Sequence, residues 1–391
     1  MNLDDIIRGS VEIIGQEELE EKIGSGKKLR VKHGADPTTT KIHLGYVVNY
    51  RVMRRFQDAG HTVIFLLGDF TGRIGDPTDK LEARQGQSKE VLRKNAEAMV
   101  SLVTKILDKD KLEIRYNSEW WDKTNLDDFL KIAKKVSATR LWERDMFEKR
   151  TKQGKPVWTH EFLYPILQAQ DSVELDSDLT VIGSDQKFNE LLARELQKDA
   201  GQTPQALVLM PILPGIDGEE KMSQSLGNTI AIDESPEEIY GKTMSMPDKN
   251  ILTYFGLLTD TKYDELLKIK TEMISGVRNP RDVKMQLARE IVKMLYSESK
   301  AVKAEEHFKS VFQKKEIPDE MGTYKLEKDD FIIDLLVKTK LAPSRTEARR
   351  LVEQGGIKVG DKIIDDPMMR IKKPDCPVVI RKGKRFFIKV I

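Results

Sequence analysis

The 391-residue sequence contains one cysteine, Cys376, and no long hydrophobic run. A single cysteine excludes an internal disulfide framework and a metal site built from several cysteines, and it fits a reducing compartment, so we expect a cytoplasmic protein. A membrane-spanning helix needs about 18 consecutive apolar residues, and the sequence has no such stretch. The first residues, Met1 to Asp5, lack the basic and apolar segments of an export signal. We therefore expect neither secretion nor membrane insertion.

The chain also has little net charge, because 66 Lys and Arg nearly balance 64 Asp and Glu. Any surface that binds a polyanion must therefore come from local clustering. Such a cluster lies between Leu341 and Ile391, where 13 basic residues stand against 6 acidic ones, a local net charge of +7. This asymmetry indicates a nucleic-acid-binding segment.

Strand and helix patterns alternate along most of the chain. Thr62–Leu67 predicts a buried strand, and Leu29–Val31, Leu112–Tyr116 and Leu179–Ile182 predict further strands. His43 to Ala59 has the apolar spacing of a helix. This alternation predicts an α/β fold, with a Rossmann-like, doubly wound parallel sheet. We predict a Rossmann-like catalytic domain at 1–230 with a helical insertion at about 120–156, a helical domain at 231–312, a linker at 313–329 and a small α+β domain at 330–391.

A phosphate-binding element is predicted where a strand gives way to a helix. His33 to Thr38 ends the strand, and His43-Leu44-Gly45-Tyr46 opens the helix. Backbone N–H groups and the helix dipole favour an anion there, Gly45 allows close approach, and His43 and Tyr46 share one helix face. A capped surface helix would show the same pattern.

A second candidate is the loop Gly218 to Asn228, which combines Lys221 and Ser223 with flanking glycines. A mobile loop of this composition can close on a triphosphate. An ordinary solvated Gly/Ser loop has the same composition.

A third candidate lies on a helix, where Tyr164, Gln168 and Asp171 stand at i, i+4 and i+7 and so line one face. They could form the polar outer face of a surface helix. The apolar neighbours Ile166 and Leu167 favour a pocket instead.

Together the first two segments resemble the HIGH and KMSKS signatures of class I aminoacyl-tRNA synthetases. The third, followed by Gly183-Ser184-Asp185-Gln186, resembles the amino-acid pocket of bacterial tyrosyl-tRNA synthetases, as does Gly68 to Pro77. Asp330 to Ile391 resembles the small RNA-binding module first seen in ribosomal protein S four, so the resemblance covers the whole chain.

The resemblance implies a tyrosine–tRNA ligase that forms tyrosyl-adenylate and pyrophosphate from tyrosine and magnesium-bound ATP, then transfers tyrosyl to the terminal adenosine of tRNA(Tyr). It implies no protein nucleophile and no protein-ligated metal, and it implies a homodimer, for which the insertion with Arg140, Trp142 and Arg144 is a plausible interface. The catalytic residues it implies are Thr38, His43, Lys80, Arg84, Lys221 and Ser223. Tyrosine would be bound by Lys32, Thr71, Asp76, Tyr164, Gln168, Asp171 and Gln186. ATP would be bound by Asp36, Gly45, Tyr46, Gly183, Asp185, Met222 and Gln224. RNA would be bound by Arg345, Arg349, Arg350 and Lys358.

Within this resemblance, Asp171 would accept the phenolic hydroxyl and carry the specificity, and Asp76, Tyr164 and Gln168 would hold the ammonium group. The chain departs from the family pattern at Tyr46, the last position of HIGH, and at Gln224, which replaces the second lysine of KMSKS. Lys32 stands where many members have tyrosine.

Three alternatives share part of the pattern: the related tryptophan enzyme, a degenerate synthetase retained as an RNA-binding or splicing factor, and a small-molecule nucleotidyltransferase. The C-terminal module and the spacing of Asp171 argue against the tryptophan enzyme. The joint presence of Asp76, Tyr164, Gln168 and Asp171 argues against a degenerate synthetase, and a nucleotidyltransferase would not account for the C-terminal module.

Overall fold

The computed structural model describes residues 3–76, 86–143, 145–313, 322–360, 362–383 and 386–391. The chain forms two compact units, Met1–Ala301 and Val302–Ile391. The finer boundaries expected at residues 230, 312 and 329 stay predictions. Every helix in the described ranges is too short or too polar to cross a membrane.

The first unit is built on a six-stranded sheet in the order β1-β6-β5-β2-β3-β4. Neighbouring strands are parallel except β1, which runs antiparallel to β6. This confirms the predicted doubly wound, mainly parallel sheet and adds β1 and β6, which the sequence analysis did not include. The strands are β1 (Glu12–Ile14), β2 (Arg30–Ala35), β3 (Thr62–Leu67), β4 (Leu112–Tyr116), β5 (Leu179–Gly183) and β6 (Ala206–Met210).

The strand order reverses beside β2. From β2 the chain proceeds outward through β3 and β4 on one side, and β5 and β6 lie on the other side. Ligands of such sheets bind at this reversal, outside the carboxyl ends of the strands. In this unit those ends are Ala35 on β2 and Gly183 on β5.

Helices surround the sheet and form the rest of the unit. They are α1 (Leu3–Ile6), α2 (Gln16–Gly24), α3 (Leu44–Asp58), α4 (Lys89–Val103), α5 (Ser118–Trp121), α6 (Leu126–Ala133), α7 (Ala138–Trp142), α8 (Asp145–Lys152), α9 (Thr159–Glu174), α10 (Lys187–Asp199), α11 (Pro236–Ser245), α12 (Ile251–Leu258), α13 (Tyr263–Ile274) and α14 (Pro280–Leu295). The boundary between the two units falls within α15 (Glu298–Phe308).

Two helix contacts position the site. The apolar face predicted for α3, which includes Val47, Tyr50 and Phe56, is buried, and α3 packs on β3 and β5. Helix α9 packs along α10 through an apolar cluster that includes Ile166 and Leu192. The N-terminal turn of α3 and the polar face of α9 thus lie near the carboxyl ends of β2 and β5.

The second unit contains α16 (Ile332–Lys338), α17 (Arg345–Glu353) and short strands around one apolar core. Its strands are β7 (Gly322–Tyr324), β8 (Asp330–Phe331), β9 (Ile357–Val359), β10 (Lys362–Ile364), β11 (Arg370–Ile371), β12 (Val378–Lys382) and β13 (Phe386–Val390). They form a five-stranded sheet, β10-β9-β12-β13-β7, and a two-stranded one, β11-β8. Helix α17 buries Ala348 and Val352 in the core, so its basic residues face outward.

Candidate active site

A cavity of about 600 Å³ opens where the strand order reverses. Its walls come from the ends of β2 and β5, the N-terminal turn of α3, the middle of α9 and the loop 221–225. This volume suits a small-molecule site. Every described residue to which the sequence analysis gave a catalytic, tyrosine-binding or ATP-binding role lines this cavity. Lys80 and Arg84 lie outside the described residues, and the individual roles stay predictions.

The N-terminus of α3 forms one end of the cavity. His43 is its N-cap residue, and its Nδ1 accepts a hydrogen bond of 3.2 Å from the Gly45 N–H. Burial lowers the pKa of His43 to about 4. The ring is therefore neutral near pH 7, with its remaining proton on Nε2 as a donor. Such a donor at a helix N-terminus suits an anion.

The glycine beside His43 has a steric reason. A Cβ at Gly45 would lie 2.9 Å from the His43 ring, closer than side chains pack. The Tyr46 ring also contacts the imidazole, at 4.5 Å between ring centroids and with the planes tilted by 41°. These contacts fix the orientation of the imidazole.

The loop that follows β6 is held by Asn228. Its Oδ1 accepts from the Ser223 N–H at 2.8 Å, and its Nδ2 donates to Asp217 and to the Lys221 carbonyl at 2.6 and 3.1 Å. The sequence analysis gave Asn228 no role. These bonds shape the segment that carries Lys221 and Ser223, so the lysine and the hydroxyl are presented on one turn at the cavity wall.

Gln224 joins this loop to the opposite wall. Its Nε2 donates to the Lys41 carbonyl at 2.9 Å, and its Oε1 accepts from Thr39 at 3.1 Å. The residue that replaces the expected second lysine therefore bridges two walls of the cavity by hydrogen bonds.

Carboxylates dominate a second end of the cavity. Asp36 accepts from the Tyr164 hydroxyl at 3.0 Å and from the Thr71 hydroxyl at 2.7 Å. Asp76 accepts from Gln186 Nε2 at 3.1 Å. Burial raises the pKa of Tyr164 well above its usual value, and the negative charges of Asp36 and Asp76 raise it further. This end attracts a cation.

Asp171 lies buried on α9 and accepts three hydrogen bonds. The indole N–H groups of Trp120 and Trp121 donate to Oδ1 at 2.9 and 2.8 Å, and Asn117 Nδ2 donates to Oδ2 at 3.1 Å. Burial raises the pKa of Asp171 to about 7, and these donors oppose the rise. The carboxylate is thus fixed in an orientation from which it can accept a further bond from a hydroxyl group in the cavity.

The sequence analysis missed these three donors. Trp120 and Trp121 fell at the start of the predicted insertion, whereas in the structure both donate to Asp171. Asn117 directly follows β4, and a polar residue at the carboxyl end of a parallel strand was a signal that could have indicated it.

Lys32 is a fully buried cation on β2. Its Nζ donates to Ser172 at 2.5 Å and forms an ion pair with Glu190 on α10 at 3.0 Å. Glu190 also lines the cavity and had no predicted role. The available sequence signal was a glutamate in the first turn of α10 among residues that include the apolar Leu192 and Ala193.

The basic residues predicted to bind RNA lie on the second unit. Arg345 pairs with Asp334 at 2.7 Å, and Arg350 pairs with Glu347 at 2.7 Å. Arg349 is exposed on the same helix, and Lys358 lies half-buried on β9. The RNA-binding roles of these four residues stay predictions.

Comparisons with known proteins show the family of the chain. Residues 25–313 match the family model described as tRNA synthetases class I (W and Y), and residues 332–375 match the S4 domain model. The chain is 46% identical to the tyrosine–tRNA ligase of Thermotoga maritima, over 98% of this chain and 95% of the relative. It is 43% identical to that of Moorella thermoacetica, over 98% and 94%.

A solved structure of the tyrosyl-tRNA synthetase of Archaeoglobus fulgidus, complexed with L-tyrosine, is also similar. It superimposes with a TM-score of 0.64 at 26% identity, over 78% of this chain and 98% of that chain.

Proposed function

Since the chain belongs to the bacterial tyrosyl-tRNA synthetases of class I, we propose that its cavity binds tyrosine and ATP end to end, with the phenol at Asp171 and the triphosphate at His43 and Lys221. The reaction is tyrosine–tRNA ligation. The observation that carries the proposed arrangement is that one cavity contains an anion-binding helix terminus, the carboxylates of Asp36 and Asp76, and the buried carboxylate of Asp171. These groups suit the triphosphate, the ammonium group and the phenol, respectively.

The amino acid is oriented by complementary groups. The ammonium group is bound by Asp76, Tyr164 and Gln168, whose oxygens can accept its hydrogen bonds. The carboxylates in this part of the cavity attract a cation. Asp171 accepts the phenolic hydroxyl. Its other contacts are already made by Asn117, Trp120 and Trp121, so it is held ready and needs no rearrangement when the ligand binds.

In the first step, a tyrosine carboxylate oxygen attacks the α-phosphorus of ATP in line. The bond from that phosphorus to the bridging oxygen breaks, pyrophosphate leaves and tyrosyl-adenylate remains. Thr38, His43, Lys221 and Ser223 supply donors and positive charge to the phosphate oxygens, so catalysis is positioning and charge stabilisation. ATP is bound as its magnesium complex, whose ion takes its ligands chiefly from the phosphates.

In the second step, a ribose hydroxyl of the terminal adenosine of tRNA(Tyr) attacks the activated carbonyl carbon, and AMP leaves. The second unit supplies RNA contacts through Arg349 and Lys358, with Arg345 and Arg350 beside them. We also propose that the protein acts in the cytoplasm as a homodimer. The segment 120–156 is the proposed interface, since it exposes the apolar side chains of Leu126 and Trp142.

Charging of tRNA with labelled tyrosine tests this function. The wild type is expected to acylate a bacterial tRNA pool with tyrosine, and Lys221→Met is expected to slow the activation step at least tenfold. Lys249→Met is the matched control, because Lys249 pairs with Glu219 outside the lining of the cavity and its loss should leave the rate unchanged. Failure of the wild type to charge tRNA would contradict the proposal, and equal rates in the two variants would remove Lys221 from it.

A further inference from the structure

Glu190 is a cavity residue with no role in the mechanism so far. Its side chain is 2% exposed and lies in the wall that also contains Lys32 and Gln168. Its oxygens accept hydrogen bonds from Lys32 Nζ at 3.0 and 3.1 Å, from Gln168 Nε2 at 2.9 Å and from Gln205 Nε2 at 2.7 Å. The carboxylate is therefore fixed from three directions.

These contacts determine the orientation of the Gln168 amide. A carboxylate in an ion pair with lysine only accepts hydrogen bonds, so Nε2 of Gln168 must face Glu190. The amide oxygen of Gln168 then faces away and accepts from Asn189 Nδ2 at 2.7 Å. An amide oxygen has two acceptor positions, and Asn189 occupies one. The second can accept a hydrogen bond from a cation in the cavity.

The Gln186 amide is oriented in the same way, by Asn189 and Asp76. Asn189 Nδ2 also donates to Gln186 Oε1 at 3.1 Å, and Gln186 Nε2 donates to Asp76 Oδ2 at 3.1 Å. The amides of Gln168 and Gln186 are thus each held by an acceptor-only group at their nitrogen and by Asn189 at their oxygen. Glu190 and Asp76 are the two carboxylates that fix the orientation of these amides.

We propose that Glu190 is a positioning residue for the substrate ammonium group, because it turns the Gln168 amide so that its oxygen faces the cation. The inference rests on the proposed function, in which Gln168 lies at the ammonium end of tyrosine. A neutral amide in place of Glu190 can either donate or accept, so the direction of the Gln168 amide is no longer fixed. The reversed amide would present N–H groups to the ammonium and weaken its binding.

Two ligands that differ only in the ammonium group test this role. Tyramine carries it and 4-ethylphenol does not, so the ratio of their dissociation constants isolates the contribution of the amino end. Equilibrium dialysis against labelled tyrosine gives both constants by competition. Glu190→Gln is expected to weaken tyramine at least tenfold and to change 4-ethylphenol by no more than about twofold. Equal weakening of both ligands would mean that Glu190 only maintains the pocket, and no weakening would remove the role altogether.

A matched control and a double variant separate charge from orientation. Glu161→Gln also removes a buried carboxylate from an ion pair, here with Arg150 at 2.5 Å, but Glu161 does not line the cavity, so the ligand ratio should not change. Lys32→Met/Glu190→Gln removes both charges, so no buried lysine is left without its partner carboxylate. The ratio should still shift at least tenfold in the double variant. A wild-type ratio there would show that charge balance, not amide orientation, is what Glu190 supplies.

The wild type distinguishes this inference from the proposed function. Wild-type protein that binds no tyrosine would overturn both. Wild-type protein that binds tyrosine and prefers tyramine to 4-ethylphenol, together with an unaltered ratio in Glu190→Gln, would overturn the role of Glu190 alone.

Discussion

The phenol of Tyr164 donates a hydrogen bond of 3.0 Å to Asp36, a residue 128 positions earlier in the chain. The bond joins α9 to the carboxyl end of β2, on either side of the cavity. Because its proton is committed to Asp36, the Tyr164 oxygen has only acceptor positions left for a ligand. An ammonium group matches that need, and a second phenol or carboxylate would match it less well.

Removal of this hydroxyl should therefore weaken tyrosine binding. Tyr164→Phe deletes the hydrogen bond that the Tyr164 oxygen would accept from the ammonium group of tyrosine. A hydrogen bond to a charged group is worth about 1.5–3 kcal/mol, so the KM for tyrosine should rise at least about tenfold in pyrophosphate exchange. Tyr296→Phe is the matched control, because the Tyr296 hydroxyl donates to the Glu234 carbonyl outside the lining of the cavity. An unchanged KM in Tyr164→Phe would contradict the assignment.

The stability of the first unit should depend on pH through His43. Burial lowers the pKa of His43 from 6.5 to about 4, so between these values the unfolded chain binds a proton that the folded chain does not. The free energy of unfolding is therefore undiminished by His43 above about pH 6.5, and it decreases as the pH falls towards 4. Burial lowers the pKa of His33 as well, so His33 acts in the same direction.

His43→Asn removes one of these titrating groups. The drop in unfolding free energy between pH 7 and pH 4.5 should become smaller by about 2 kcal/mol, as measured by urea denaturation. His33 is present in both proteins, so its contribution to the pH dependence cancels when the two are compared. Equal pH dependence in wild type and variant would show that His43 is not held neutral by burial.

Gln224 offers a test of the loop that carries Lys221. Gln224→Ala removes the bonds to Thr39 and to the Lys41 carbonyl, so the loop loses its link to the opposite wall. The KM for ATP is expected to rise severalfold while the KM for tyrosine stays constant, because the tyrosine-binding residues lie on other elements. Steady-state exchange with each substrate varied in turn measures both. A change confined to tyrosine would contradict the predicted role of this loop.

Substitution of the basic residues of the second unit should change the affinity for tRNA and its salt dependence, and should leave tyrosine activation unchanged. Arg349→Ala and Lys358→Ala should each weaken tRNA binding and reduce the slope of log affinity against log salt by about one. Arg345→Ala should have a smaller effect, since that guanidinium is already paired with Asp334. Filter binding at several salt concentrations measures the slopes, and tyrosine-dependent exchange should not change. A loss of exchange activity would mean that these substitutions disturb the first unit.

Comparison of sequence and structure separates what a local pattern can predict from what requires the fold. Strand β3 begins and ends where the apolar run does, because a buried parallel strand needs a continuous apolar segment. Strand β4 also has the predicted bounds, but it lies at the edge of the sheet, is only partly buried and includes Glu113 and Arg115. Strand β1 has only three residues and depends on its antiparallel partner β6, so its own sequence carries little signal. Strand β6 is a fully buried run, and its signal was present but not used.

The cavity shows the same division. Tyr164, Gln168 and Asp171 could be identified because helical periodicity places them on one face. Trp120 could not, since it reaches Asp171 across about 50 residues of chain and only the fold brings the two together. Asn117 lies equally far from Asp171 in sequence, and its place directly after β4 was the one signal available for it. Glu190 was missed for a similar reason: its partner Lys32 is 158 residues away.

The central claim is that the cavity selects tyrosine through the hydroxyl that Asp171 accepts. The direct measurement is exchange of labelled pyrophosphate into ATP with tyrosine, phenylalanine or tryptophan, for the wild type and for Asp171→Ala. Tyrosyl-tRNA synthetases are themselves the reference case for rejection of phenylalanine, by about 10⁵-fold, so the expected size is the family's and not one obtained from this structure. Exchange with tyrosine alone, lost in Asp171→Ala, is the predicted result. Exchange with tryptophan, or none with any of the three despite retained tRNA binding, would contradict it.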